Sequence, residues 1–398
     1  MNQLSARLTA LSPSETLAMS QKSQELKAQG IDVINLSVGE PDFNTPNHIK
    51  EAAKKAIEDN FSFYSPVPGY PALRKAIVEK LKRENGLEYD VNQIVCSNGA
   101  KQSVCNVLMC VVGAGDEVII PAPYWVSYIE MVKLADGKSV IVEAGLDQDF
   151  KITPQQLEDA ITPKTKVLIL CSPSNPTGSV YTKEELTGLA KVLEKYPNVI
   201  VLADEIYEHI NYIGKHESIA QFESIRDRVV IVNGVSKGYA MTGWRLGWIA
   251  APQWIASACN KLQGQYTSGP CSIAQKAAEA AYTGSQQCVA DMRDAFKRRR
   301  DLVLGMLSDI PGLQVNEPKG AFYVFPKCSS FFGKTAPNGK VIKDAADLAM
   351  YLLEEGHVAC VGGGAFGSPD CIRMSYATSD ENLINAFTRI KNALAVLK

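Results

Sequence analysis

Lys237 lies in the run Val235-Ser236-Lys237-Gly238-Tyr239-Ala240-Met241-Thr242-Gly243-Trp244-Arg245, directly after the apolar segment Val229-Val230-Ile231-Val232-Asn233. That segment reads as a buried strand that delivers the lysine at its carboxyl end. Ser236 and Gly238 are small and leave room beside the amine. A lysine in a confined, partly dry pocket loses proton affinity and becomes a nucleophile towards carbonyl carbon. Arg245 follows as a cationic anchor. A lysine nucleophile together with a phosphate anchor is what pyridoxal phosphate requires. On this segment alone, a surface lysine after a strand is the alternative.

Other chemistry-bearing residues also follow apolar runs. After Val199–Ala203 comes Asp204-Glu205-Ile206-Tyr207. An acid at the end of a buried strand is costly unless it meets a positive partner, and a pyridinium nitrogen would be one. Tyr207 is then placed to donate to a ring oxygen. After Val167–Cys171 comes Ser172-Pro173-Ser174-Asn175-Pro176-Thr177-Gly178, a turn in which two prolines fix the backbone around Asn175. After Ile94–Ser97 comes Asn98-Gly99-Ala100-Lys101, small residues at a strand-to-helix junction that would present backbone N–H groups to a phosphate. Trp125, after Glu117–Pro121, offers an indole for a flat ring or simply fills core. Arg373 sits inside the apolar run Cys371–Tyr376, where its fork would take a carboxylate ligand or a structural salt bridge. Gly362-Gly363-Gly364-Ala365-Phe366-Gly367 matches dinucleotide-loop spacing, but Ser368-Pro369-Asp370 leads into a strand rather than a helix. It reads as a flexible loop near the cleft.

The elements that must hold these residues are α/β in pattern. Strands are expected at Gln93–Ser97, Glu117–Pro121, Lys166–Cys171, Val199–Ala203, Val229–Asn233 and Leu246–Ala250, alternating with helices at Ala100–Val111, Ser127–Leu134, Thr182–Glu194 and Gln253–Tyr266. Near-continuous Val/Ile/Leu strands separated by helices imply a mostly parallel sheet covered on both faces, with ligands at the strands' carboxyl ends. A charged helix at Asp291–Leu307 and short strands at Ala321–Phe325, Val358–Val361 and Cys371–Tyr376 suggest a smaller α+β unit. The expected division is a large domain, residues 47–290, and a small one formed by residues 1–46 and 291–398.

Composition narrows the classes. A net charge of −2 over 398 residues gives no general attraction to nucleic acid or an anionic membrane. No run of about 18 apolar residues is present. The start has no secretion-signal layout. Ten scattered cysteines without a C-x-x-C pair suit a reducing cytoplasm, and four histidines without metal-pair spacing make a metal site unexpected.

Taken together, Val38–Phe43, Tyr64–Gly69, Pro123–Tyr128, Ser174–Gly178, Asp204–Glu208, Ser236–Arg245 and Gly320–Tyr323 resemble, in order, the fold type I pyridoxal-phosphate-dependent aminotransferases of class I/II. Within them the bacterial-type aspartate aminotransferases are the nearest match. The resemblance covers nearly the whole chain. It implies a fold type I PLP-transferase, with Lys237 joined covalently to pyridoxal 5'-phosphate and, once freed, acting as general base. Asp204 would pair with the ring nitrogen, and Tyr207 and Asn175 would bond the ring oxygen. Gly99, Ala100, Lys101, Ser236 and Arg245 would hold the phosphate, and Trp125 would stack on the ring. Tyr64 would reach the phosphate of the neighbouring subunit in a homodimer. Arg373, Asn175, Trp125 and the backbone at Gly39 would hold the substrate's α-carboxylate. The arginine that animal-type enzymes use for the distal carboxylate has no match here; Ser14, Thr16 and Lys101 occupy that region. The implied reaction is ping-pong transfer of the amino group of L-aspartate to 2-oxoglutarate, with prephenate as a second substrate. The alternatives are an aromatic aminotransferase, a C–S lyase on the same scaffold, or a non-catalytic PLP-binding regulator.

Overall fold

The computed structural model describes residues 4–398. After the short strand β1 (Ile34–Asn35), the strands β2 (Ile94–Ser97), β3 (Glu117–Ala122), β4 (Lys138–Glu143), β5 (Thr165–Cys171), β6 (Ile200–Asp204), β7 (Val229–Gly234) and β8 (Gly247–Ala250) follow in chain order. The last seven form one sheet in the spatial order β2-β8-β7-β6-β5-β3-β4. All neighbours are parallel except β8, which runs antiparallel to both β2 and β7. The β7–β8 connection is taken up by the Lys237 loop and a single 3₁₀ turn, Thr242–Trp244. With no crossover helix to carry the chain back, β8 returns antiparallel.

Period-two alternation sorts the strands' side chains into two cores. Val229 and Ile231 join one apolar cluster, with the helices Asn47–Glu58, Pro71–Lys80, Lys183–Glu194 and Ser272–Thr283. Val230 and Val232 join another, with the helices Ala100–Val111, Ser127–Leu134 and Gln253–Tyr266. Both faces are therefore covered, which is why these strands read as unbroken apolar runs. The edge strand β4, Lys-Ser-Val-Ile-Val-Glu, is half exposed and mixed in polarity, so its sequence carries no such run.

A third cluster gathers Ile34 and Leu36 with residues from Met292 onward. Here β9 (Tyr323–Val324), β10 (Val358–Ala359), β11 (Val361–Gly362) and β12 (Ile372–Ser375) are short. The expected strand Val358–Val361 is divided: β10 pairs in parallel with β1, while β11 pairs with β12. The Ala321–Phe325 strand shrinks to two residues because Ala321 has positive φ (55°). The helix Glu15–Ala28 packs on β10 and β11, whereas Ala6–Thr9 reaches the helix Ser127–Leu134. There Arg7 pairs with Asp136 at 2.5 Å, and the Ser12 amide donates to Glu130 at 2.9 Å.

The Gly362–Gly367 stretch is a packed turn rather than a flexible loop. Gly363–Phe366 forms a 3₁₀ turn, and the Phe366 carbonyl accepts from the Tyr124 amide at 3.0 Å. A side chain at Gly363 or Gly367 would run into backbone carbonyls or the Tyr124 ring. Gly363 and Gly367 are there for close approach. Among the described residues, no helix is long and apolar enough to cross a membrane.

Candidate active site

A cavity of about 280 Å³ opens at the carboxyl ends of β5, β6 and β7. Of the residues singled out from sequence, Ser14, Thr16, Gly39, Ala100, Lys101, Trp125, Asn175, Asp204, Tyr207, Ser236, Lys237, Arg245 and Arg373 all line it. Gly99 and Tyr64 do not. Gly99 backs the cavity as the residue before the helix Ala100–Val111, and Tyr64 is 97% exposed.

Lys237 donates from Nζ to the Gly39 carbonyl at 2.5 Å. Burial pushes its pKa down to about 8; Arg373 and Arg245 push the same way, against Glu40 and Asp204. An amine so poised is part neutral near neutral pH, as a nucleophile or base requires. Asp204 closes β6 at 4% exposure and makes no ion pair among the described residues. Burial lifts its pKa to about 6, while hydrogen bonds from the Tyr128 hydroxyl (to Oδ2, 2.6 Å) and the Ile206 amide (to Oδ1, 3.3 Å) pull it down. A buried carboxylate without a cation is a ready acceptor for one.

Arg373, 2% exposed, meets no acid. Its Nη1 donates to Asn175 Oδ1 at 3.0 Å and its Nη2 to the Ser37 carbonyl at 2.6 Å, while Nε has no partner. The guanidinium lies 4.7 Å from the Tyr323 ring centroid and 4.8 Å from that of Phe366. The structural salt bridge is thereby excluded among the described residues, and a buried cation remains with its fork partly free for an anion. A second cationic corner is built at the helix Ala100–Val111. Gly99 has φ 83°, and a Cβ there would strike the Arg245 guanidinium. Arg245 donates to the carbonyls of Thr242 at 2.8 Å and Asn98 at 3.4 Å. Free N–H groups at the helix start, Ser236 and Arg245 make an anion cradle. Lys101 Nζ sits 5.0 Å from the Trp125 ring centroid, and Trp125 meets Tyr128 edge-on.

Sequence reasoning passed over Tyr128, Tyr323, Thr242 and Cys171, all of which line the cavity. Tyr128 lies three residues beyond Trp125, one helical turn on, which was the available signal. The Tyr323 hydroxyl bonds that of Tyr207 at 2.8 Å. Metal-pair spacing is absent from the sequence, yet the fold gathers Glu84, Glu208 and His209, and Glu205, Glu208 and His216. The Lys80 ammonium already sits on Glu208 and within 3.5 Å of Glu84, so that charge is met by protein.

Residues 31–390 match the family model for aminotransferase class I and II. An aspartate/prephenate aminotransferase of Cereibacter sphaeroides is 50% identical, over 98% of both chains. The solved aspartate aminotransferase of Rhizobium meliloti superposes with a TM-score of 0.97 at 43% identity, covering both chains fully. That of Thermus thermophilus, solved with maleate, gives 0.92 at 41% identity over 99% of this chain and 100% of its own. A lysine, an acid and an arginine converging on one cleft, in a chain aligned from end to end with these relatives, place it among the class I and II aminotransferases.

Proposed function

We propose that this enzyme transfers the amino group of L-aspartate to 2-oxoglutarate in a reversible ping-pong exchange, giving oxaloacetate and L-glutamate, with prephenate as a second oxo-acid substrate. The observation that carries this reading is the convergence on one cavity of the Lys237 amine, an Asp204 carboxylate without a cation and an Arg373 guanidinium without an anion. The relatives named for aspartate, and maleate in the Thermus structure, a four-carbon dicarboxylate like aspartate, support the substrate class.

The donor set fits pyridoxal 5'-phosphate. Asp204 suits a protonated ring nitrogen, Tyr207 and Asn175 suit the ring oxygen, and Trp125 offers a face. Lys237 is the amine for the aldehyde. Gly99, Ala100, Lys101, Ser236 and Arg245 suit the phosphate, where a Cβ at Gly99 would fill the cradle. When bound, the cofactor supplies an electron sink for the charge that develops at the substrate's Cα. Arg373, with Asn175, Trp125 and the backbone at Gly39, holds the α-carboxylate. Ser14, Thr16 and Lys101 meet the distal end. Lys237 Nζ would take the proton from Cα and pass it on to the cofactor's former aldehyde carbon, a placed base being worth about 10²- to 10⁴-fold. Asp204 keeps the proton on the ring nitrogen, and the Tyr128 hydroxyl keeps Asp204 oriented and ionised.

The active unit in this reading is a homodimer in which the exposed Tyr64 reaches the partner's phosphate site. Residues 47–290 form the large domain and residues 1–46 with 291–398 the small one, of which 1–3 lie outside the described residues. Val289 and Met292 falling in different cores supports that division, while the contacts of Ala6–Thr9 and Ser12 with the large domain run against it for the first residues of the arm. Ten cysteines without a disulfide support a cytoplasmic setting.

A panel of amino donors with 2-oxoglutarate tests the reading. Aspartate is expected to give the highest kcat/KM, and Lys237→Ala to abolish turnover together with borohydride-trapped label at that position. Release of pyruvate and ammonia from a cysteine conjugate, without amino transfer, would overturn it.

A further inference from the structure

We propose that Arg299 is a positioning residue for the amino-transfer step, acting through Asp42 on the segment that holds the free Lys237 amine. The proposal rests on the reading of Lys237 as the base.

Residues 37–42 carry two backbone carbonyls that matter in the cavity. That of Gly39 accepts from Lys237 Nζ, and that of Ser37 accepts from Arg373 Nη2. Yet among the described residues nothing from Val38 to Thr45 takes part in a backbone–backbone hydrogen bond, and no helix or strand covers the stretch. Its shape is set by side chains. Thr45 Oγ1 donates to the Ala240 carbonyl at 2.7 Å, and Thr242 Oγ1 donates to Glu40 Oε2 at 3.0 Å. The one ion pair on the segment, among the described residues, is Asp42 with Arg299.

That pair is built as a clamp. Arg299 comes from the long helix Gln287–Ser308 and is 8% exposed. Its Nη1 and Nη2 donate to the two oxygens of Asp42 at 2.7 and 2.9 Å, a two-pronged contact that fixes direction as well as distance. Nε reaches Asp380 at 3.4 Å, at the start of the helix Asp380–Ala395. The guanidinium carbon also lies 5.2 Å from the Phe43 centroid and 5.7 Å from that of Phe296. Arg299 thus ties the unsupported segment to two rigid helices. Gly39 has little freedom on its other side, since a Cβ there would come within 2.5 Å of the Tyr323 hydroxyl.

The chemical consequence falls on proton transfer. As the Cα–H bond breaks and an N–H bond forms at Lys237, Nζ must sit at reacting distance, and the Gly39 carbonyl is its only hydrogen-bond partner among the described residues. A shift of about 1 Å at such a centre costs up to about a hundredfold in rate. Lysine at position 299 keeps the charge but cannot reproduce the fork.

The test compares wild type, Arg299→Lys, Asp42→Asn and the double variant as full-length holoenzymes. Steady-state rates with aspartate and with Cα-deuterated aspartate are measured beside amide hydrogen exchange of residues 38–45, a readout independent of turnover. Expected for each single variant is a fall in kcat of about tenfold or more, a larger deuterium isotope effect, unchanged cofactor affinity and faster exchange in that segment. The double variant should be no worse than the poorer single one. If Arg299→Lys does not fold, Asp42→Asn decides by the same criteria. Any other pattern overturns the proposal, including a loss of activity that only follows the loss of folded protein. Failure of the wild type to make glutamate from aspartate and 2-oxoglutarate would instead overturn the amino-transfer reading.

Discussion

At the scale of single residues, the site is made of charges that burial has left unpaired. Asp204 is the sharpest case. In cofactor-free protein burial lifts its pKa to about 6 from an ordinary 3.8. Between those values the folded chain holds a proton that the unfolded chain has lost, so stability falls as pH rises through the window, and the penalty is complete above it. Asp204→Asn should therefore make the cofactor-free protein more stable at pH 8, by roughly 2–3 kcal/mol, with the gap closing towards pH 4. The same variant should bind the cofactor more weakly, because the partner for a protonated nitrogen is gone. Urea unfolding across pH together with cofactor titration checks both signs; a gap independent of pH would contradict the burial argument. The chain announces Asp204 by its place after an apolar run, but gives no hint that a tyrosine 76 residues earlier would donate to it.

At the scale of elements, the carboxyl ends of β2, β3, β5, β6 and β7 each lead into a part of the site, and the helix Ala100–Val111 delivers the anion cradle. Its expected bounds agree with the observed ones, and the apolar strands lie within a residue or so of where they were expected, because periodicity and composition are local. What was not legible is non-local. The antiparallel return of β8 follows from the loop that houses Lys237, and the divided strand at Val358–Gly362 follows from pairing with two different partners. Gly99→Ala is the test at this scale. Its backbone φ of 83° strains any side chain, and the added methyl presses on Arg245. Cofactor affinity should fall about tenfold or more while far-UV circular dichroism stays native; unchanged affinity would move the phosphate elsewhere.

At the scale of the molecule, the cavity lies where cores meet. Tyr207 and Ala240 from the site loops belong to the cluster built mainly by residues beyond Met292, while Lys237 and Asp204 hang from the central sheet. Tyr64 lies outside the cavity of its own chain. If it completes the neighbouring site, mixing inactive Lys237→Ala with impaired Tyr64→Ala should generate hybrids with one intact site and restore activity towards a quarter of the wild-type level. That fraction is an order-of-magnitude value, roughly half the subunits pairing as hybrids with one of two sites whole. No recovery on subunit exchange would confine each site to one chain.

The amino-acid sequence alone determined the class of chemistry and the scaffold, since a lysine after a buried strand, an acid after another and an arginine inside a third are signals each written within a few residues of its own stretch of chain. Only the tertiary structure decided which charges stay unpaired, how Tyr128 meets Asp204, and how an otherwise unsupported segment is pinned to Arg299. Those outcomes depend on groups brought together across tens to hundreds of residues, and on the removal of water around them. Neither is encoded in the pattern of any one stretch of chain.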